Sequence, residues 1–191
     1  EYMSKLWLDT RLTDEEIDFL WACISEENKK NVSDTLAGNI SKSEKIIDKD
    51  NWFYETVLKK HSEKLFYREN NNYYKYHIEK EKSQLPKFEM YEMWVNHQKQ
   101  HEFNPLHKHG GLFSFVVFMR IPTHWKEQHA LPISVTSTIP TASDFQFVWS
   151  GSSGQDIFTK EKNSQENVRT RNFSLSPEDE GRILFFPAWL K

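Results

Sequence analysis

Phe88-Glu89-Met90-Tyr91-Glu92-Met93-Trp94-Val95 is the stretch at which the apolar pattern of this chain changes its period. Phe88, Met90, Glu92 and Trp94 alternate with Glu89, Tyr91, Met93 and Val95. Successive strand side chains point to opposite faces, so a two-residue period predicts a strand. Further β-like runs follow at 112–121, 132–138, 144–149, 155–160, 169–175 and 181–186, with turn signals at Pro122, Pro140, Gly151, Gly154 and Pro177 between them. Several short strands at this spacing predict a sandwich or jelly roll.

Upstream of residue 87 the period is helical. Thr13-Asp14-Glu15-Glu16 has the pattern of a capping box, with Ile17, Leu20, Trp21 and Ile24 at helical spacing behind it, which predicts a helix over about 13–27. Segment 28–49 is polar, carries Gly38 and reads as loop with one turn of helix. Over 50–68, Phe53, Val57, His61 and Leu65 fall four apart and Trp52, Leu58 and Phe66 widen the stripe, so a second helix is predicted, with His61 at its boundary. Asn70 to Asn72 breaks it. The expected organisation is a helical N-terminal region, 1–86, packed on a β core, 87–191, within a single domain.

Composition narrows the function classes. The 191 residues carry a net charge of −3 with both signs interspersed, so there is no basic field for nucleic acid or an anionic membrane. Aromatic residues are 15 % of the chain and cluster in the β-like runs, which favours an aromatic β core over a helical bundle. Cys23 is the lone cysteine and excludes an intrachain disulfide and a cysteine-based zinc site. No signal peptide and no apolar run of membrane-spanning length occurs, so a reducing, cytoplasmic setting is the expectation; sequons at Asn31, Asn39 and Asn172 are short enough to arise by chance. A homodimer is the default expectation for assembly.

The chemistry concentrates in Asn104-Pro105-Leu106-His107-Lys108-His109-Gly110-Gly111, which leads straight into the apolar run Leu112 to Ile121. Read as strand, residues i and i+2 share a face, so His107 and His109 point to one place. Neutral imidazole is a favoured ligand for iron, zinc, copper and nickel, and two ligands on one strand need one more to make a three-point facial site. The competing reading makes them surface residues after a proline bend. His97 with His101, and His124 with His129, read as solvated pairs. Trp149-Ser150-Gly151-Ser152-Ser153-Gly154-Gln155 lacks the lysine of a phosphate loop and reads as a hairpin turn, and Glu178-Asp179-Glu180 reads as a solvated turn. Neither a Gly-x-Ser-x-Gly elbow nor His-Glu-x-x-His occurs.

Taken together, Trp94-Val95-Asn96, Glu102-Phe103-Asn104-Pro105, His107-x-His109, Ser114-Phe115-Val116-Val117 and the block from Gly181 to Trp189 resemble a known family. They are similar to the prolyl-hydroxylase-like iron(II)- and 2-oxoglutarate-dependent oxygenases of marine phages and bacteria. Leu36-Ala37-Gly38-Asn39-Ile40 resembles a segment upstream of that family's barrel, so the resemblance covers about 36–189.

The resemblance implies a double-stranded β-helix, a jelly-roll and cupin-like fold, mainly β with N-terminal helices. It implies Fe(II) and 2-oxoglutarate as cofactors, O2 as co-substrate, and hydroxylation of an unknown substrate such as a peptide side chain. His107 falls on the first metal ligand and His109 on the position of the family's acidic ligand, where it either completes a three-histidine site or gives way to water. Asn96 and Trp94 on one strand and Ser114 on another fall on cofactor-side positions, although core packing explains Trp94 and Ser114 equally well. The family's distal histidine and the arginine for the far carboxylate of 2-oxoglutarate fall after Lys191, and the strand-like Arg182 to Phe186 close to the end of the chain leads to the expectation of residues beyond it. Two alternatives stand beside this reading: a cupin-like three-histidine dioxygenase that does not use 2-oxoglutarate, and a metal-free jelly-roll binding or virion protein.

Overall fold

The computed structural model describes residues 6–69, 87–150 and 168–191. Among these residues the architecture is a set of small antiparallel sheets with few helices. Strand β1 (Leu8–Arg11) leads into α1 (Asp14–Ser25), and β2 (Ser43–Ile46) precedes a π-helical turn (Tyr54–Leu58) that runs into α2 (Lys59–Glu69). Then come β3 (Met93–Asn96), β4 (Phe113–Val117), the short α3 (Trp125–His129), β5 (Phe145–Ser150), β6 (Val168–Phe173) and β7 (Arg182–Pro187). The strands pair as β1-β7-β4, β2-β3 and β5-β6, all antiparallel.

Alternation along β7 organises the interior. Ile183 and Phe185 face a core built with Leu20 and Cys23 of α1, Phe53 and Val57 ahead of α2, Leu65 within it, and Ile46 and Met93 of the β2-β3 pair. Leu184 and Phe186 face the other way, against Phe147 and Trp149 of β5, Phe173 of β6 and Trp7. The three-stranded sheet therefore has helices on one face and the β5-β6 hairpin on the other, and each face is apolar for that reason. The second core is aromatic: Phe147 packs edge-on against Phe186 at 4.8 Å and Phe173 at 5.7 Å, geometries that rings favour over face-to-face stacking.

The first helix forms as its capping box predicts. Thr13 Oγ1 accepts from the Glu16 amide at 3.3 Å, and Glu16 Oε2 accepts from the Thr13 amide at 2.8 Å. The second helix is less regular than its four-residue spacing implies. Asp50 and Asn51 have φ of 56° and 57°, and the Asp48 carboxylate caps the restarted helix through the Phe53 and Tyr54 amides at 2.8 and 2.9 Å.

Several expectations are corrected. Segment 28–49 is not only loop: Ser43–Ile46 is a strand, fixed by pairing with β3 and by Ser43 Oγ donating to Asn96 Oδ1 at 2.8 Å. In the alternating stretch 88–95 only residues from Met93 onward are strand; residues 88–92 join no ladder, the Phe88 carbonyl accepts from the Tyr54 hydroxyl, and Tyr91 is 93 % exposed. Residues 132–138 form turns, held by the Ser134 and Val135 amides on the Leu131 carbonyl, both 2.8 Å. Ile133 and Val135 are exposed, so the alternation there has no sheet to join. The strand Leu8–Arg11 was not anticipated; it pairs with β7, and the sheets thus cross the boundary drawn at residue 86. β7 is paired on both edges, with β1 and with β4. The run 155–160 lies outside the described residues. Among the described residues no helix is long and apolar enough to cross a membrane.

Candidate metal centre

His107 and His109 sit in an extended loop ahead of β4, not on the strand itself. Pro105 contributes no amide to a ladder, and Gly111 has φ of 84°, a conformation that glycine adopts at no steric cost. Both features interrupt strand pairing. The His109 amide nevertheless donates to the Ala188 carbonyl at 3.0 Å, and the Ala188 amide to the Leu112 carbonyl at 2.9 Å. Gly110 and Gly111 thus bulge out between two bonds to a single residue beyond β7, and the loop is fastened to the central strand.

The loop is braced from behind by the other segments of the resemblance. Asn39 and Phe103 exchange backbone bonds, 2.8 Å from the Asn39 amide and 3.4 Å from that of Phe103. The Glu102 carboxylate accepts from the Ser41 amide at 2.9 Å and the Lys99 amide at 2.8 Å. The Ser41 side chain, followed by these two amides, holds the Glu102 carboxyl below the usual carboxylate range. A Cβ on Gly38 would come within 2.4 Å of Asn104 Oδ1, so the two segments approach closely because residue 38 has no side chain.

The imidazoles do meet. His107 Nε2 and His109 Nε2 are 3.2 Å apart, with ring planes inclined at 68°. His107 Nδ1–H donates to the Pro105 carbonyl at 2.7 Å, which fixes the tautomer and leaves Nε2 with its lone pair. Metal-ligating histidines are commonly oriented by such a bond to a carbonyl. With metal–nitrogen bonds of about 2.0–2.1 Å, two nitrogens 3.2 Å apart subtend roughly 100–105° at the metal, within the range that tetrahedral and octahedral centres use. Burial, and secondarily the neighbouring His107, push the His109 pKa below the ordinary histidine value, which keeps its ring neutral as a ligand must be. His109 Nδ1 is buried without a hydrogen-bond partner.

Trp94 joins this pair, its ring 6.5 Å from that of His109, and Phe186 lies 6.0 Å away on another side. Ser114 is half-buried on β4 directly opposite Phe186, on the face that carries the aromatic core. Asn96 is exposed and its carboxamide oxygen accepts from Ser43. Leu106, Leu112 and Trp189 are exposed beside these residues in sequence or pairing and give the site an apolar margin.

A third ligand is not identified: among the described residues, no group of three or more His, Cys, Asp or Glu side chains is arranged to hold a metal. The donor set fits two positions of a metal centre. It does not by itself supply a cation for the far carboxylate of 2-oxoglutarate.

Two of the four histidines read as solvated, His97 and His129, meet carboxylates, while His101 is exposed as expected. His129 Nε2 is 2.8 Å from Asp144 Oδ1, with the two side chains only 12 % and 2 % exposed, and Ser174 Oγ donates to the other carboxylate oxygen at 3.2 Å. Sequence reasoning missed this cluster because its members lie 15 and 30 residues apart. His97 meets Glu44 across β2 and β3 at 2.9 Å. No family model, curated protein or solved structure matches this chain.

Proposed function

We propose that this chain is the core of a non-haem metal-dependent oxygenase that uses iron(II) and 2-oxoglutarate to hydroxylate a substrate such as a peptide side chain. The observation that carries the metal half is the pair of Nε2 atoms 3.2 Å apart, one of them oriented through its other nitrogen by the Pro105 carbonyl. The 2-oxoglutarate half rests on the resemblance of the blocks around residues 94–117 and 181–189 to that family. In this reading β1-β7-β4 and β5-β6 are facing walls of a double-stranded β-helix, with α1 and α2 covering the outside. His109 of the pair lies against Phe186, which is on the inward face.

His107 and His109 hold the metal. Trp94 and Phe186 pack on the His109 ring and keep water from its buried edge. Ser114 and Asn96 are the cofactor-side candidates, Ser114 the better placed because it shares the inward face of β4. When bound, iron supplies chemistry in which decarboxylation of 2-oxoglutarate is coupled to hydroxylation of a C–H bond; the chain's part is to fix the metal, orient the target and exclude water.

A three-histidine, 2-oxoglutarate-independent dioxygenase is the second reading. Its support is that the residue brought to His107 is a second imidazole and not a carboxylate.

Anaerobic thermal unfolding with Mn(II), with and without 2-oxoglutarate, tests both. A ligand at a hundred times its Kd stabilises the native state by about 2.7 kcal/mol. A metal-dependent rise that grows with 2-oxoglutarate and vanishes in His107→Ala supports the oxygenase. A rise with metal alone favours the three-histidine reading, and no rise with Mn(II) or Fe(II) leaves a metal-free binding or structural protein.

A further inference from the structure

A small sheet is bounded by edge strands, and several edges of this chain are covered or charged. The outer side of β2 is bonded to residues 30–32, through the Val32 amide on the Ser43 carbonyl at 2.8 Å and the Lys45 amide on the Lys30 carbonyl at 2.9 Å. β5 receives the Lys191 carbonyl on its Val148 amide at 2.6 Å. β1 carries Asp9 and Arg11, and β6 carries Arg169 and Arg171, charges of the kind that keep an edge from pairing further.

β4, which runs on from the histidine loop, has neither protection. Its sequence Phe113-Ser114-Phe115-Val116-Val117 holds no charge and no proline, and all five residues are half-buried. The Ala188 amide donates to the Leu112 carbonyl at 2.9 Å and the Phe118 amide to the Arg182 carbonyl at 3.1 Å, so the even-numbered residues of β4 bond to β7. The amides and carbonyls of Phe113, Phe115 and Val117 therefore point away from β7. Among the described residues they have no hydrogen-bond partner.

An unpaired row of N–H and C=O groups is matched by the main chain of another extended segment, while side-chain contacts select its sequence. The side chains of a strand added there alternate between two faces. On one face lie Phe113, Phe115 and Val117, packed on the helical core, so the segment is apolar on that side. On the other lie Leu112, 66 % exposed, and Ser114, directly opposite Phe186, whose ring is 6.0 Å from that of His109. We propose that the open edge of β4 takes up an extended segment of a polypeptide substrate as an added strand, with alternate side chains on the face that carries the histidine pair. That the segment is a substrate rests on the oxygenase reading of the histidines; that it docks as a strand does not. Proline cannot donate from its nitrogen, so the segment carries none where its main chain bonds to β4.

Amide hydrogen exchange of the whole chain, read residue by residue by NMR in metal-free buffer, tests this. The probe is the capped peptide acetyl-Val-Thr-Val-Thr-Val-Thr-amide, and the control is the same peptide N-methylated at every residue. The Phe113, Phe115 and Val117 amides are expected to exchange fast in the free chain and to slow about tenfold at a probe concentration about ten times its Kd, with no slowing by the methylated control. Val117→Pro removes one outward donor and leaves the bonds to β7 in place, so it is expected to raise the Kd of the probe about threefold or more. Should that variant fail to fold, the methylated control carries the comparison alone. Protection together with a Mn(II)-dependent rise in the unfolding midpoint supports the proposal; protection without that rise removes the substrate and leaves the docked strand. Amides already slow in the free chain would mean that the edge is covered by the chain itself or by a second copy. That result, or amides that the probe never slows, overturns the docking.

Discussion

Without a metal, one proton has to lie between the Nε2 atoms of His107 and His109. His107 spends its own ring proton on the Pro105 carbonyl, so the shared proton belongs to His109, and His109 Nδ1 keeps a buried lone pair with no donor. A buried unsatisfied polar atom costs about 1–3 kcal/mol. His109→Phe removes that atom at nearly constant ring volume, so the variant is expected to be about 1 kcal/mol more stable to urea while losing Mn(II) binding. A less stable variant that still binds Mn(II) would assign the ring to packing alone. His109→Asp is the complementary change, expected to keep metal affinity if residue 109 is a ligand position. The meeting of the two rings was legible from their two-residue spacing, although for a different backbone: the loop is extended enough to keep both rings on one side, while Pro105 and Gly111 keep it off the ladder. The orphaned Nδ1 was not legible, because it depends on Trp94 and Phe186 arriving from two other strands.

The elements that could be read in advance are those whose signal is local. The capping box of α1 is contained within four consecutive residues, and Thr13→Ala is expected to cost about 1 kcal/mol, read as a lower urea midpoint with an unchanged slope. β2 and β1 are four residues each, and their strand character comes from partners about 50 and 170 residues away, so no window along the sequence contains it. The 132–138 run shows the converse, since alternation without a partner strand yields to local turns. Gly181 joins these elements: its amide donates to the Phe118 carbonyl at 2.8 Å, its carbonyl accepts from the Leu12 amide at 2.9 Å, and its φ is 82°. An added Cβ would also meet Ile17 Cδ1 at 2.7 Å. Gly181→Ala combines the left-handed backbone cost of about 1–2 kcal/mol with that contact, and is expected to lower the unfolding midpoint more than Thr13→Ala does. Equal or smaller loss would mean that the turn relaxes to another conformation.

At the scale of the molecule, the layers are joined by a few side chains that reach from helix to sheet, and His61 is the one whose behaviour changes with pH. Its Nδ1–H donates to the Val57 carbonyl at 2.7 Å, its Nε2 accepts from Thr10 Oγ1 of β1 at 3.2 Å, and its ring packs 5.8 Å from that of Phe185 on β7. Burial pushes its pKa below the ordinary value; the Val57 bond and Glu16 oppose this, and Lys60 and Lys64 add to it. The native chain therefore holds the ring neutral at a pH where the unfolded chain, titrating near about 6.5, takes up a proton. Because the unfolded state binds more protons, stability rises with pH through this window. The contribution is complete above about pH 6.5 and is lost as the pH falls toward the lower, folded-state pKa. The carboxylates with lowered pKa values, Glu44, Glu102 and Glu178, respond only further into acid, so pH 5 to 7.5 isolates the histidines. Urea midpoints across that range are expected to fall on acidification, and His61→Asn, which can keep the Val57 bond but cannot titrate, is expected to flatten the fall. The same slope in both proteins would show that protonating His61 costs the native state nothing, and that the Thr10–His61 contact does not join the helical layer to the sheet.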